Sequence, residues 1–330
     1  MSVSRRRFCQ ASATGLAMAA WLPSLQAQTP TPETAKILIG FAPGGTIDLV
    51  GRRVAEKLHP GYAKAVVVEN RTGAGGQIAV QAVKNAAPDG ATVLLTPASP
   101  LGLHPHTFRR LPYDPVRDVV PVSAAAAFDY ALAVGPQVPV SVKSVPEFLA
   151  WCRAHPASAN FGSAGTGSAA HFIGASLGKT GQADLRHVAF RGSQPAITDL
   201  IGGQIAAVVG PTGEFMSNVK AGKCRLLATS GPQRGRFTPD TPTLAEQGIA
   251  DLKYLGWFGF YLPAAAPADT VQRLNAGVRQ ALAAPDVVDG LASLYMEPFP
   301  NSPAQLATLL REESAFWARL VQQIGFTPEA

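Results

Sequence analysis

The sequence ILIGFAPGGTIDLV, residues 37–50, decides the fold of this chain. Its apolar start predicts a buried strand, a Pro-Gly-Gly turn follows, and residues 47–58 carry the apolar spacing of an amphipathic helix. A helix that begins at a glycine turn presents free N–H donors and a partial positive charge, which together can hold an anion. Because the same turn also serves as a plain connection between strand and helix, both interpretations stay open at this point.

The alternation of strand and helix continues beyond this stretch. We predict strands at residues 65–69 and 92–96, with a helix at 78–85 between them. Such alternation is typical of an α/β lobe, in which helices cover both faces of a mostly parallel sheet. Residues 103–121 contain four prolines and are predicted to form an irregular surface excursion that ends near a strand at 130–134.

A second α/β lobe is predicted from residue 145 onward, and the chain then returns to the first lobe. We therefore predict a two-lobed architecture with a hinge, in which residues 28–128 and 257–330 form lobe 1 and residues 129–256 form lobe 2. A strand that runs into a turn is predicted at 160–167, and further strands of this second part at 186–190, 205–209, 225–229 and 255–262. Helices are predicted at 146–154, 168–178, 194–202, 269–282 and 303–324.

The first 27 residues have the composition of an export signal. Arg5 and Arg6 precede Arg7-Phe8, an apolar run covers residues 11–22, and the small residue Ala27 fits a cleavage site. This pattern resembles the twin-arginine type, so we expect a mature chain that starts at residue 28 in the periplasm. An uncleaved membrane anchor is the alternative, although the apolar run is short for a span; after cleavage we expect no stable membrane insertion.

Length and charge limit the possible partners. A chain of 330 residues with 47% hydrophobic and 15% charged residues suits a soluble protein of two domains. Removing residues 1–27 takes away three arginines and no acid, so the formal charge falls from +6 to +3. No cluster of lysine and arginine is interleaved with aromatic residues, so nucleic acid is not an expected partner. Cys152 and Cys224 remain in the mature chain, either as a disulfide or as two buried thiols.

Three further glycine loops also open helices, at residues 69–77, 162–168 and 190–194. The hydroxyl groups of Thr166 and Ser168 can bind a carboxylate beside the backbone N–H groups, and Thr96 and Ser99 are candidates for the same role in the first lobe. Arg191 could add a bidentate contact to a carboxylate, or it could be an ordinary solvated surface residue.

Sequence signatures of enzymes are weak. Residues 165–170 match the pattern G-x-G-x-x-A, so an exported NAD(P)-dependent oxidoreductase stays an alternative. The chain has no P-loop sequence and no G-x-S-x-G elbow. His104 and His106 have no carboxylate pair nearby, so we predict no metal site. We predict no catalytic residue and no cofactor, and we expect His171 to pack or to face a ligand rather than to act as a base.

A series of short motifs carries a resemblance to a known family. The motifs are FAPGGTID at 41–48, VENRTGAGG at 68–76, PDG at 88–90, LPYDP at 111–115, GTGSAAH at 165–171, AGK at 221–223 and PDTPT at 239–243. In their order and spacing they resemble the Bug-type receptors of tripartite tricarboxylate transporters, across essentially the whole mature chain. The resemblance implies a periplasmic receptor of the type II binding-protein fold, which closes on a small carboxylate and delivers it to membrane subunits of a transporter; we expect it to be a monomer.

Positions that match the family's loops, together with Thr96 and Ser99, form the predicted ligand site. Asp48 is expected to position its loop instead, since a carboxylate that faced the ligand's carboxylate would repel it. The predicted ligand-binding residues are Phe41, Ala42, Pro43, Gly44, Gly45, Thr46, Gly73, Ala74, Gly75, Gly76, Thr96, Ser99, Gly165, Thr166, Gly167, Ser168, His171, Phe190, Arg191, Gly192 and Ser193.

The chain departs from the family's pattern at several positions. Ala206 and Gly210 stand where the family commonly has acidic residues, which predicts a ligand without an amine. His104 replaces the family's usual asparagine and Phe190 its usual tyrosine, so an aromatic or otherwise less polar carboxylate stays open. A receptor that presents its bound state to a signalling partner, rather than to a transporter, is a further alternative.

Overall fold

The computed structural model describes residues 31–328, and the export signal predicted at residues 1–27 lies outside them. The strands are β1 (Thr34–Ile39), β2 (Ala65–Asn70), β3 (Thr92–Pro97), β4 (Val119–Val134), β5 (Asn160–Ser163), β6 (Arg186–Ala189), β7 (Ala207–Pro211), β8 (Arg225–Thr229), β9 (Leu255–Pro263) and β10 (Glu297–Pro298). The helices are α1 (Thr46–Leu58), α2 (Gln77–Lys84), α3 (Ser99–Gly102), α4 (His104–Thr107), α5 (Val145–Ala154), α6 (Ala169–Thr180), α7 (Ser193–Ile201), α8 (Met216–Lys220), α9 (Ala268–Ala283), α10 (Pro285–Ser293) and α11 (Pro303–Ile324).

The strands are hydrogen-bonded in the order β2-β1-β3-β9-β4-β7-β5-β6, and β8 and β10 also pair with β4. At one end β1 runs parallel to β2 and β3, and at the other β5 runs parallel to β6 and β7. All pairs that involve β4 or β9 are antiparallel. The predicted two-lobed α/β class is therefore confirmed, but the strand pairing is mixed rather than mostly parallel.

Strand β4 belongs to both halves of the molecule. Its residues up to Asp129 pair with β9, and its residues from Tyr130 onward pair with β7 and β8. The change of partners lies close to residues 128 and 256, where the sequence places the boundaries of the two lobes. Those boundaries themselves stay a prediction.

The prediction of an irregular segment at residues 103–121, followed by a strand at 130–134, holds for residues 108–118 and is wrong at both ends. Residues 99–107 form the short helices α3 and α4, and β4 is a single strand of 16 residues that starts at Val119. Its alanines at 124–127 are all buried in the core. Alanine has a weak preference for strands, so burial between neighbouring strands, rather than local propensity, makes this segment extended.

Helix α1 packs tightly on the first strands. Its buried face includes Val50, Val54 and Leu58, which match the periodicity read from the sequence. A Cβ added at Gly51 would lie 2.8 Å from Cδ1 of Ile39, so the glycine lets the helix approach β1 closely. The close approach fixes the direction in which the residues at the start of α1 point.

The C-terminal helix α11 contacts elements from both halves of the sheet. Ser302 caps its start in a capping box with Gln305. Trp317 packs against Phe172 of α6 with ring centroids 6.4 Å apart, and Ser314 Oγ lies 2.8 Å from the ring nitrogen Nε2 of His106. Although α11 has 22 residues, no helix within residues 31–328 is both long and apolar enough to cross a membrane.

Cys152 and Cys224 are both buried and unpaired. Of the two alternatives left open by the sequence, the structure therefore has two free thiols. Burial raises the pKa of Cys152 to about 12 and that of Cys224 to about 11, which keeps both sulfurs protonated and weakly nucleophilic.

A buried carboxyl group joins α11 to β9. Glu313 accepts hydrogen bonds from the Tyr254 hydroxyl at 2.8 Å, from Trp257 Nε1 at 3.2 Å and from Trp317 Nε1 at 2.5 Å. Burial outweighs these three donors and raises the pKa of Glu313 to about 7. Each of the three donors would be unsatisfied without this acceptor, so Glu313 links the packing of three aromatic residues.

We expect Glu313→Ala to destabilise the fold by about 3 kcal/mol or more, because it leaves buried donors without a partner. The matched control is Glu312→Gln on the exposed neighbouring residue, which should leave stability nearly unchanged. Urea unfolding monitored by tryptophan fluorescence measures both variants. Equal stability of Glu313→Ala and wild type would contradict the assigned role.

The same carboxyl group predicts a pH dependence. Its pKa of about 7 in the fold exceeds its ordinary value of 4.5, so the native state holds a proton that the unfolded chain releases. Its contribution to stability is fully present below pH 4.5 and is lost as the pH rises through 7. We expect wild type to lose up to about 3 kcal/mol more than Glu313→Gln between about pH 5 and about pH 8, measured by urea unfolding.

Candidate functional site

The glycine loops predicted from the sequence lie at the carboxyl ends of parallel strands. In the first half they follow β1 and β2, and in the second half they follow β5 and β6. Since the carboxyl ends of parallel strands share one edge of a sheet, each half gathers its loops at a single edge. In open α/β sheets this edge is where ligands bind.

The first loop is held in place by Asp48. Its buried carboxylate accepts hydrogen bonds from the Gly44 N–H, from Asn70 Nδ2 and from Arg52 Nε, each at 2.9 Å. Burial opposes ionisation, but the hydrogen bonds from Arg52, Gly44 and Asn70 outweigh it and lower the pKa of Asp48. These contacts join Asp48 to Gly44 of the loop, to Arg52 one turn further along α1 and to Asn70 at the end of β2.

The second loop packs directly on the first. Residues 73–76 all have positive φ angles, from 47° to 131°. Glycine adopts such angles most easily, and three of these four residues are glycines. A Cβ added at Gly40 would lie 2.6 Å from the Gly76 Cα, so the two loops touch backbone against backbone. Helices α1 and α2 both begin at a glycine without a side-chain cap, which leaves their first N–H groups open to a ligand.

In the second half, the loop at residues 164–168 is closed by its own serine. Ser168 Oγ donates to the Gly165 carbonyl at 2.7 Å and accepts from the His171 N–H at 3.2 Å. Its proton is therefore used within the loop, whereas the Thr166 side chain is exposed. The Gly192 N–H donates to the Ala164 carbonyl at 3.2 Å, which joins the third predicted loop to this one.

A pair of stacked histidines lies beneath this loop. The ring centroids of His171 and His187 are 3.9 Å apart, and Ser163 Oγ lies 2.8 Å from His187 Nε2. The Gly167 N–H donates to His171 Nδ1 at 3.3 Å. Burial lowers the pKa of His171 to about 4, and burial together with His171 lowers that of His187 to about 3. Both rings are therefore neutral near pH 7, and neither supplies a positive charge to this loop.

His104, which the sequence analysis did not assign to the site, lies between the loops of the two halves. A Cβ added at Gly75 would be 3.1 Å from His104 Cε1, and one added at Gly167 would be 3.7 Å from His104 Nε2. The ring packs edge-on against Phe108, with centroids 4.9 Å apart. Burial lowers its pKa to about 4, and its Nδ1 has no hydrogen-bond partner among the described residues.

A second contact between the halves joins Thr46 to Glu214. Thr46 Oγ1 donates to Glu214 Oε1 at 3.4 Å, and Glu214 lies on the turn that directly follows β7. The sequence analysis missed Glu214 because it is not part of a glycine loop. The available signal was its position after a buried strand, at the same edge of the sheet as the other loops.

Several other predicted residues make contacts within their own half. The Thr96 hydroxyl donates to the Pro97 carbonyl at 3.1 Å, and Ser99 is buried at the start of α3. The Phe190 ring packs on Gly162, where an added Cβ would be 2.9 Å from Phe190 Cε2. The exposed Arg191 has no ion pair within residues 31–328. Their roles toward a ligand stay a prediction.

The two positions that predicted a ligand without an amine differ in location. A Cβ added at Gly210 would lie 3.8 Å from Ser193 Oγ, next to the start of α7. Ala206 is buried in the core, and its N–H donates to Asn160 Oδ1 at 2.8 Å. Of the two positions, only Gly210 therefore lies beside a predicted ligand-binding residue, where an acidic side chain could have met a ligand's amine.

Gly40→Ala tests the backbone contact between the first two loops. The added methyl group would overlap the Gly76 backbone, so we expect a loss of stability of about 1–3 kcal/mol. Gly61→Ala is the matched control, because an added Cβ there meets no atom within 4 Å and its backbone needs no positive φ. Thermal unfolding compares the two variants, and equal stability would contradict the close packing of the loops.

Comparison with known proteins agrees with this arrangement. Residues 50–326 match the family described as "Tripartite tricarboxylate transporter family receptor". Protein BugT of Bordetella pertussis is 30% identical over 302 residues, which cover 91% of this chain and 92% of BugT.

Solved structures share the whole fold. The periplasmic binding protein BugD is 26% identical with a TM-score of 0.82, covering 90% of this chain and 99% of BugD. MatC from Rhodopseudomonas palustris with bound malate is 29% identical with a TM-score of 0.80, covering 87% of this chain and 98% of MatC. R. palustris Rpa4515 with adipate is 26% identical with a TM-score of 0.84, covering 91% of this chain and all of Rpa4515. The resemblance read from the motifs is therefore confirmed, and the chain belongs to the tripartite tricarboxylate transporter family of periplasmic receptors.

Proposed function

We propose that this receptor captures a small carboxylate without an amine between its two lobes and delivers it to the membrane subunits of a tripartite tricarboxylate-type transporter. The observation that carries the proposal is the position of His104. Loops from the carboxyl ends of strands in both halves approach this one side chain, through Gly75 on one side and Gly167 on the other. Helix N-termini that open at these edges can hold an anion without a cationic side chain.

The proposed ligand class follows from the charges at these loops. The nearby histidines are neutral at pH 7, so the attraction for an anion would come from backbone N–H groups and the exposed Arg191. Gly210 provides no carboxylate for an ammonium group. The relatives whose structures hold malate and adipate carry ligands with carboxylates and no amine. A carboxylate of that kind is the ligand class we propose.

We propose that the ligand contacts come from both halves, with Asp48 as the residue that positions the first loop. Residues 28–128 with 257–330 would move as one lobe and residues 129–256 as the other, hinged where β4 changes its strand partners. The proposed contacts in the first lobe are the 41–46 loop, the 73–76 loop, Thr96 and Ser99, and those in the second lobe are the 165–168 loop, His171 and residues 190–193.

The remaining parts of the proposal concern the setting of the protein. We propose export by the twin-arginine-like signal, release into the periplasm without a membrane anchor, and function as a monomer that binds neither nucleic acid nor a cofactor and catalyses no reaction. An NAD(P)-dependent oxidoreductase is disfavoured because Phe108 and His104 pack on the Gly167 position of the G-x-G-x-x-A match. A sensor role would use the same ligand site with a different partner.

A thermal-shift panel on the mature protein, residues 28–330, tests the proposed ligand class. The panel contains mono-, di- and tricarboxylates, aspartate and glutamate as amine-bearing counterparts, and NAD and NADP. A ligand at about 100 times its Kd adds roughly 2.7 kcal/mol of stability, which raises the unfolding temperature measurably. We expect stabilisation by at least one carboxylate without an amine and none by the dinucleotides.

Other results of this panel would contradict parts of the proposal. No stabilisation by any carboxylate would overturn the proposed function, and stabilisation by NAD or NADP would favour the oxidoreductase. Tight binding of aspartate or glutamate, measured by calorimetry, would refute the assignment of a ligand without an amine. Uptake of the identified carboxylate by cells with and without the receptor gene then separates transport from sensing, because only transport requires the receptor for uptake.

A further inference from the structure

Glu214 occupies an unusual position for an acidic residue in an anion-binding receptor. It lies between the first residue of α1 in one half and the first residue of α7 in the other. Thr46 Oγ1 donates to its Oε1 at 3.4 Å, and the nearby Ser193 hydroxyl favours the charged form of the carboxyl group. The carboxyl group therefore lies where the two halves meet, beside two helix starts that lack side-chain caps.

The turn that carries Glu214 is firmly held by its neighbours. The Thr212 hydroxyl donates to the Asp129 carbonyl at 2.9 Å, on the strand shared by both halves. Gly213 packs so closely on the Leu294 carbonyl that no side chain would fit there. Phe215, on the other side, is fully buried. Glu214 is thus placed by packing on three sides, as expected for a residue whose position matters for binding.

One oxygen of this carboxyl group lacks a partner. Glu214 Oε2 is buried and accepts no hydrogen bond in the part of the chain that the structure describes. A buried polar atom without a partner costs free energy, so Glu214 Oε2 is a candidate for a hydrogen bond with a ligand.

The surroundings of Glu214 disfavour its negative charge. No lysine, arginine or histidine among residues 31–328 forms an ion pair with it. The titratable group that interacts with Glu214 is the phenol of Tyr130 on β4. Burial, Glu313 and Glu214 all raise the pKa of that phenol. Burial raises the pKa of Glu214, and the hydroxyls of Ser193 and Thr46 offset this only in part. A ligand carboxylate placed beside it would raise that pKa further.

We propose that Glu214 is a specificity residue whose neutral carboxyl group donates a hydrogen bond from Oε2 to the second carboxylate of a dicarboxylate ligand. This inference rests on the proposed function and extends it from a carboxylate to a dicarboxylate. Oε1 continues to accept from Thr46, so both oxygens of Glu214 are satisfied in the complex. The proton comes from solvent, and binding above the pKa of the free carboxyl group therefore takes up one proton.

The pH dependence of binding separates a neutral Glu214 that donates to a carboxylate from an ionised Glu214 that pairs with an ammonium group. If the neutral form is required, the affinity for a dicarboxylate falls as the pH rises above the pKa of Glu214 in the free protein, by up to about tenfold per pH unit. If instead an ionised Glu214 pairs with a ligand ammonium group, the affinity for an amino dicarboxylate falls as the pH is lowered. The two modes thus predict opposite slopes.

Calorimetry of the mature receptor with succinate, adipate and aspartate tests the proposal, since aspartate differs from succinate by one amine. Titrations at several pH values, in two buffers of different ionisation enthalpy, measure affinity and proton uptake. We expect succinate or adipate to bind with uptake of up to one proton at pH values above the pKa of Glu214 in the free protein. Glu214→Gln, which keeps an N–H donor, should retain binding without proton uptake, and Glu214→Ala should bind at least about tenfold more weakly.

Glu312→Gln on the exposed face of α11 is the matched control and should bind as wild type does. Ligand-free unfolding temperatures show whether each variant is folded. Binding of aspartate that strengthens with pH and is lost in Glu214→Gln would overturn the inference in favour of the ammonium mode. Unchanged binding and proton uptake in Glu214→Ala would overturn it while leaving the proposed function intact. Absence of binding of any carboxylate to wild type would overturn both.

Discussion

The sharing of β4 between the two halves is the constraint on which the rest of this structure depends. One strand supplies hydrogen-bond partners to β9 in the first half and to β7 and β8 in the second. Because backbone hydrogen bonds of a buried strand are costly to break, each half stays attached to its own part of this strand. MatC with bound malate and Rpa4515 with adipate are built on the same fold.

Three buried carboxyl groups illustrate how environment assigns different roles to one chemical group. Asp48 receives strong hydrogen bonds from Arg52, and its pKa is lowered despite burial. Glu313 receives only neutral donors, and Glu214 has one oxygen without a donor, so burial raises the pKa of both. The difference follows from the presence or absence of a cation within contact distance. Asp48 thereby holds a loop as an anion, while the other two favour the neutral form.

Local signals were sufficient for much of the fold. The helices at the first and last glycine loops were predicted within a few residues, because glycine turns and apolar periodicity act over short distances. Residues 119–129 of β4 are not predicted as strand, since the alanines at 124–127 carry little strand signal. The mixed pairing was also missed, because the direction in which β9 enters the sheet depends on contacts with residues more than 100 positions away.

The sequence by itself determined the α/β class, the family and the positions of the glycine loops, because these depend on patterns within short segments. Only the tertiary structure decided which side chains meet between the lobes. Glu214 carries no local motif, and His104 stands out in the sequence only as a departure from the family's pattern. Both contact residues of the other half because the strand edges of the two halves face each other. The raised pKa of Glu214 likewise depends on burial by distant segments, which no short stretch of sequence encodes.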